Sequence, residues 1–427
     1  MTSAAPEEAP TEGAPAGPAS RFRTFESLSN RSFRWFLLSA LGQMASLRVQ
    51  NIVRGYLAYQ LTGSFAALGT VFLANSISGI SLNFVGGVWA DRLRQRKSLV
   101  QAGQLSSAAL GVVLGILVYA DLLRFEHLLI AGLLTGGINA LTMPARQAML
   151  PDVVGMQGLT NAVALNAAGR NTIQMIAPAI GGLILAAYGA AWLYFLMAGT
   201  YLFAVAALTQ VSTDARGGFE RARSTASPLA DLVAGLRYIA SDSRIGWLLL
   251  ANTAFGLLLM PYEFLLPGFV ADVLNDGAGG AAQLGFLLSV SALGSLLGAV
   301  GIASLPPRRR GLLYLLSVLL MGVTLFAFAL TSWVVATAAT LFVLGIGRAG
   351  RMSFSNILIQ DYVDDAYRGR VLAVYHMQRS VASLGTFFVG ILAAAIGIQQ
   401  ALAALALLVV ALAALLLVSG GVLRRLD

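Results

Sequence analysis

The 427-residue chain contains no cysteine, a single lysine (Lys97) and two histidines (His127 and His376), and charged residues make up only 11% of it. Each scarcity removes a class of function. Without thiols there is no disulfide scaffold, no iron–sulfur cluster, no thiolate zinc site and no cysteine nucleophile. His127 and His376 stand too far apart for a metal-ligand motif, so neither a metal nor another cofactor is expected. The lysine of a phosphate-binding loop follows a glycine, whereas Lys97 follows Arg96, which excludes a self-contained ATP-driven pump of that type. No nucleophile–base constellation is visible either, so the chain does not read as an enzyme.

What the chain has in abundance is apolar sequence, 57% of all residues. At roughly 20 apolar residues per membrane-spanning helix, the length holds about a dozen spans and no large soluble domain. Twelve such runs are found between residues 33 and 423. They are rich in Ala, Leu and Gly and lack the alternating pattern of barrel strands, so the fold class expected is an all-α membrane protein. Residues 1–30 read as a disordered cytoplasmic tail, being rich in Ala, Pro, Glu and Gly. Residues 31–211 form a first six-helix bundle, 212–244 a cytoplasmic linker, 245–423 a second six-helix bundle and 424–427 a cytoplasmic end. The first apolar stretch is too long for a signal peptide and has no small-residue cleavage site near its start, so the first span is expected to be retained.

The net charge is +9, and 27 of the 28 basic residues are arginine. In a soluble protein this balance would point to nucleic acid. Here the basic residues lie between apolar runs, and the partner is a lipid bilayer instead. With the N-terminus inside, 21 basic residues fall on inner segments and Arg124 alone on an outer one. The rule that positive charge stays inside then predicts a multi-pass protein of the cell membrane with both termini cytoplasmic. In the linker, Ser227-Pro228 signals a helix start, and Leu229, Leu232, Val233, Leu236 and Ile239 follow at helical spacing. The segment reads either as an amphipathic helix on the inner membrane surface or as a plain connecting helix.

The two bundles echo one another. Asp152 and Asp361, Arg170 and Arg379, and Gly181 and Gly390 each stand 209 residues apart, and Trp35 and Trp247 open the first spans of the two halves. Two parallel six-helix repeats, working as a monomer, are the architecture of one large class of secondary transporters.

Gly87-Val-Trp-Ala-Asp91-Arg92-Leu-Arg94-Gln-Arg96-Lys97 follows the second span. It resembles the Gly-x-x-x-Asp-Arg signature of the major facilitator superfamily, with Arg94 where an internal glycine is usual. Tyr59 to Ser64, Pro144 to Ala148, Leu150-Pro151-Asp152, Gly235 to Tyr238, Pro261-Tyr262 and Leu265-Leu266-Pro267 resemble one branch of it, the enterobactin-exporter-like and macrolide-efflux-like transporters. The resemblance implies the major facilitator fold. It also implies a conformational latch made by Gly87, Asp91, Arg92, Arg96 and Lys97, which docks on the start of the eleventh span at Arg368 and Arg370, with Arg146 as a second partner for Asp91. Setting topology alone is the other role open to these basic residues.

Six arginines fall within spans: Arg48, Arg54, Arg170, Arg348, Arg351 and Arg379. Each costs roughly 2.5–3.5 kcal/mol at a helix centre and should face protein or water. Arg170 and Arg379 occupy matching repeat positions, where they would clamp an anion across the cavity or serve packing by bonding to backbone carbonyls. Arg348 and Arg351 are expected near the inner end of their span, snorkelling to water. Glu263 lies between Pro261 and Pro267 at a depth similar to that of Arg54. The two read as an outer gate, as a proton-coupling pair that opens when Glu263 is protonated, or as a static ion pair. His376, one helical turn before Arg379, is a proton relay or a satisfied polar residue. Asp272 and Asp276 are assigned to an outer loop with no special role.

Together these readings point to a secondary active transporter working by alternating access. The expected activity is proton-coupled export of a small amphipathic molecule, anionic and siderophore-like. Multidrug or macrolide-like efflux and a lysophospholipid-type flippase are the alternatives.

Overall fold

The computed structural model describes residues 26–92, 96–212, 228–274, 280–304, 308–364, 367–419 and 421–426, and among them there are helices and no strand. The first half comprises α1 (Arg31–Thr62), α2 (Phe65–Arg92), α3 (Arg96–Tyr119), α4 (Phe125–Tyr188) and α5 (Ala190–Thr209). A short helix, α6 (Pro228–Ser241), precedes the second half, which comprises α7 (Ser243–Leu259), α8 (Pro261–Asp272), α9 (Gly280–Ala303), α10 (Arg310–Ala329), α11 (Val334–Tyr362), α12 (Arg368–Ile396) and α13 (Ile398–Val418).

Local chemistry sets the breaks. The Asn30 side chain accepts hydrogen bonds from the backbone N–H groups of Ser32 and Phe33 and so starts α1, and Gly63, at φ 59°, ends it in the left-handed conformation that glycine holds at least cost. The expected loop between the fourth and fifth spans is reduced to a kink inside α4. Gly155 makes it with φ 70° and ψ 173°. The expected seventh span is two helices, α7 and α8, broken at Met260, with Pro261 opening α8, where its missing N–H is no loss. Residues Phe125–Gly155 and Asn161–Tyr188 of α4, the pair α7–α8, and α3, α5, α9, α10, α11 and α13 are the described segments long and apolar enough to cross a membrane, nine in all. α1 is long enough, at 32 residues, but carries Arg31, Arg34, Arg48 and Arg54. The protein is therefore a multi-pass membrane protein.

The repeat is visible in space. At one end of the bundle Arg96, opening α3, pairs with Asp152 at 3.1 Å. Arg310, opening α10, pairs in the same way with Asp361. Glycines of α4 and α11 standing 209 residues apart, Gly136 and Gly345, touch the backbone of α2 and α9 respectively: a Cβ on either would lie 2.0 Å from the Asn75 oxygen or 2.1 Å from the Ser291 oxygen. Lys97 Nζ donates to the Thr209 and Val211 carbonyls at the end of α5, at 3.0 and 2.7 Å. At this same end α6 packs on α12, with Gly235 against Arg370 and the Tyr238 ring stacked on Tyr367 at 4.3 Å, while Val233 and Leu236 stay exposed.

Candidate functional site

Contacts between the halves gather toward the end opposite Arg96 and Arg310. On α4 and α9, Gly182 and Gly285 meet so closely that a Cβ on Gly182 would lie 2.5 Å from the Gly285 Cα. Gly69 of α2 faces the backbone of Thr386 and Phe387 of α12, and Gly390 of α12 faces the Phe65 carbonyl. Small residues let helix backbones approach in this way. The Tyr59 hydroxyl of α1 donates to Asp272 at the end of α8, Gly55 abuts Pro267, and the Phe72 and Phe264 rings pack at 4.7 Å. Further in, the Ser76 and Ser383 hydroxyls bond across the α2–α12 interface. These contacts make a seal, and Asp272 belongs to it. The expectation that Asp272 has no role is corrected: it ends α8 instead of floating in a loop. Tyr59→Phe and Asp272→Ala each remove a hydrogen bond to a charged group, about 1.5–3 kcal/mol. Each is expected to shift the closed–open balance of this end roughly tenfold or more toward open. Because the native chain has no cysteine, a lone cysteine placed beside the seal reports that shift by its labelling rate.

Inside the seal lie the intramembrane charges. Glu263, in the first turn of α8, accepts from Arg348 Nη1 of α11 at 2.8 Å, so its partner is Arg348 and not Arg54. Depth matching misled the pairing because the fold sets the α7–α8 span beside α11 within one half. Arg348 is also not near the end of its span. It is the fifteenth of 29 residues in α11 and is 7% exposed. Arg351, one turn on, is equally buried and donates to Asn252 at 2.7 Å. Neither arginine snorkels.

Arg54 is 1% exposed. It donates to Asn51 at 2.9 Å and lies over the Phe72 ring, 5.5 Å from its centre. Arg48 is half-buried and donates to Gln174 of α4 at 3.1 Å. Arg170 lies one turn before Gln174 on the same face of α4 and is exposed. Of the residues assigned to the latch, Arg96 pairs with Asp152 and Lys97 ties α3 to α5, both within the first half. Arg146 turns into the α1–α4 contact, donating to Ser39 at 3.4 Å with its guanidinium 5.9 Å from the Phe36 ring centre. Gly87, Asp91 and Arg92, and likewise Arg368, His376 and Arg379, lie outside the residues whose side chains are described. The polar partners Gln174 and Asn252 were not singled out from the sequence, and Tyr59 stood there only within a stretch that carries the family resemblance. An uncharged polar residue in a span near an arginine was the signal that pointed to them.

Two repeated halves of long apolar helices, sealed at one end and carrying charged groups among those helices, define a transporter of the major facilitator type. The chain belongs to the transmembrane secretion effector family of that superfamily, whose model matches residues 22–422. It is 25% identical over 378 residues to the multidrug efflux pump Tap of Mycolicibacterium fortuitum, covering 87% of this chain and 91% of that protein. It is 29% identical over 353 residues to the enterobactin exporter EntS of Escherichia coli O1:K1, covering 81% of each. Its backbone matches the crystal structure of the nucleoside transporter NupG with a TM-score of 0.74 at 14% identity, over 91% of this chain and 98% of that one. It also matches a bacterial homologue of the iron transporter ferroportin in an inward-facing state, with a TM-score of 0.72 at 18% identity over 92% and 99%. The family is one of transporters and not of enzymes.

Proposed function

We propose that the protein exports a small amphipathic, anion-bearing molecule across the cell membrane by alternating access, against protons moving the other way. On this reading α1, α2 and α12 complete twelve spans in two bundles, both termini are cytoplasmic, and the monomer is the working unit. The observation that carries the proposal is the polar face of α4 and α1. Arg170, exposed on a membrane-spanning helix, shares a face with Gln174, which in turn holds Arg48. A guanidinium turned to lipid is costly, whereas one that lines a water-filled cleft is not, so the face belongs to a central cavity that is basic. Closure of the seal while Arg170 stays accessible describes a cavity open toward the Arg96–Asp152 end, the loading state of an exporter. Glu263 supplies the proton site: its carboxylate holds Arg348 when ionised and releases it when protonated. A relative that exports enterobactin supports an anionic, siderophore-like cargo, and the multidrug relative supports broader drug efflux.

The test is flux in proteoliposomes with an imposed pH gradient, using one anionic siderophore and one cationic dye. Arg170→Ala and Arg379→Ala are expected to cut anion flux at least tenfold and to leave any dye flux in place. Anion flux that survives both changes, or dye as the better substrate of the native protein, moves the assignment to multidrug efflux. Movement of a short-chain lysophospholipid in place of either assigns a flippase.

A further inference from the structure

The interior of the first half holds a second concentration of polar groups, apart from the cavity between the halves. Along α1, Ser39, Gln43, Ser46, Gln50 and Arg54 are all buried and share one face at intervals of three and four residues, a run of about 22 Å. Arg48 projects from the other side of α1 toward Gln174. The buried face meets α3, the first part of α4 and α5. Gln104 donates to Ser39 at 3.2 Å, Arg146 to Ser39 at 3.4 Å and Gln50 to Thr135 at 3.1 Å. One arginine stands at each end of the run. Arg54 is 1% and Arg146 8% exposed, and among the described residues neither forms an ion pair.

Seven buried atoms in this interior have no hydrogen-bond partner: Nε and Nη1 of Arg54, Nε and Nη1 of Arg146, the Tyr194 hydroxyl, and the Oε1 atoms of Gln50 and Gln104; the Tyr201 hydroxyl has Ser107 beside it. The imbalance among them is chemical. Four are N–H donors of two cations, and the groups that could accept from them, the glutamine oxygens and the hydroxyls, are neutral, so mutual satisfaction would still leave both charges uncompensated. The Arg54 charge acts on both tyrosines and the Arg146 charge on Tyr201, which places the hydroxyls in the field of the guanidinium groups. The Phe72 and Phe36 faces attract the cations but accept nothing from the N–H groups in the guanidinium plane. Two buried positive charges lack a negative acceptor, and water, being neutral, supplies no counter-charge.

We propose that the first half binds small monovalent inorganic anions of chloride's size, one beside Arg54 with the Tyr194 hydroxyl and one beside Arg146 with the Tyr201 hydroxyl. Each anion neutralises a guanidinium and accepts from the free N–H and O–H groups. The bound anions hold α1, α4 and α5 together, so they act on the rigidity of the first half and not on the cargo. This inference is independent of the export reading, because its test needs no substrate.

The experiment is thermal unfolding of the purified full-length protein in detergent, followed by tryptophan fluorescence, with sodium chloride or bromide replaced by sodium gluconate at constant ionic strength. Chloride and bromide are expected to raise Tm saturably by about 2–4 °C over gluconate. Arg54→Met, which removes the charge and fills the space with apolar atoms, is expected to lose about half of that rise while being no less stable than the native protein in gluconate. Arg424→Gln, at the exposed C-terminal end, is expected to keep the full rise. Anomalous diffraction from native crystals grown in bromide decides the matter even where a variant fails to fold, with peaks expected beside Arg54 and Arg146. Equal Tm values in chloride and gluconate, or bromide maps without peaks at both arginines, overturn the proposal.

Discussion

Gly345→Ala is expected to lower the yield of folded, monodisperse protein several-fold, and Gly136→Ala to do the same, while Gly199→Ala leaves the yield unchanged. At Gly345 the new methyl would lie 2.1 Å from the Ser291 oxygen and 2.8 Å from the Ser295 nitrogen; at Gly136 it would lie 2.0 Å from the Asn75 oxygen. The obstructing atoms are backbone, which no rotamer change moves aside. α11 must back away from α9, or α4 from α2, by about 1 Å along the whole contact. Overpacking of this kind costs about 1–3 kcal/mol in a packed interior. In a membrane the loss is felt directly, because close packing is the main force between helices there. Around Gly199 nothing lies within 4 Å of a Cβ, and alanine favours helix over glycine by about 1 kcal/mol. Fluorescence-detected gel filtration of the three variants at matched expression reads the contrast. Equal monodisperse peaks would mean that the α2–α4 and α9–α11 contacts are looser than described.

The same substitution has another expected outcome at Gly182 or Gly285. There the clash is with the backbone of the opposite half, and the halves are able to part without unfolding. Alanine is expected to spare folding and to hold the sealed end open, which labelling of a nearby engineered cysteine would register. Glycine thus has two jobs in this chain: within a half it permits assembly, and between halves it permits closure.

The helical class, the multi-pass character and the repeat were legible because composition and a 209-residue recurrence report them directly. Asp152 and Asp361, matched in sequence, meet Arg96 and Arg310 in space. Side-chain pairing was not legible in the same way. Glu263 and Arg54 matched in depth, yet which helices are neighbours decides who pairs with whom, and depth carries no such information. Asp272 looked like a loop residue because it stands at the very end of its apolar run, and its contact with Tyr59 across the halves is set by the fold. Small residues carried a further signal in Gly136 and Gly345, whose shared offset of 209 residues was readable but whose close contacts were not.

Neutralising both Glu263 and Arg348 is expected to restore stability without restoring pH-driven flux. With Glu263→Ala alone, Arg348, whose side chain is 8% exposed, keeps its charge in the interior with its 2.8 Å partner gone. Breaking such a buried pair costs about 3–5 kcal/mol. Glu263→Gln is milder, since its amide oxygen still accepts from Arg348. Glu263→Ala combined with Arg348→Leu removes the stranded charge altogether, and exchanging a buried ion pair for uncharged groups is often neutral or better. A double-mutant cycle on Tm is therefore expected to return most of the loss, with a coupling of about 0.5–3 kcal/mol. Transport separates the two roles of the pair. If the pair only holds α8 against α11, the stable double variant regains flux driven by an imposed pH gradient. If Glu263 is the proton site, as proposed, the double variant still exchanges cargo down its own gradient, but the pH gradient no longer drives it. Glu263 keeps 23% of its side-chain surface exposed and Arg348 behind it 8%, so the carboxylate is the more reachable member of the pair. That asymmetry favours the second outcome, and pH-driven flux in the double variant would overturn it.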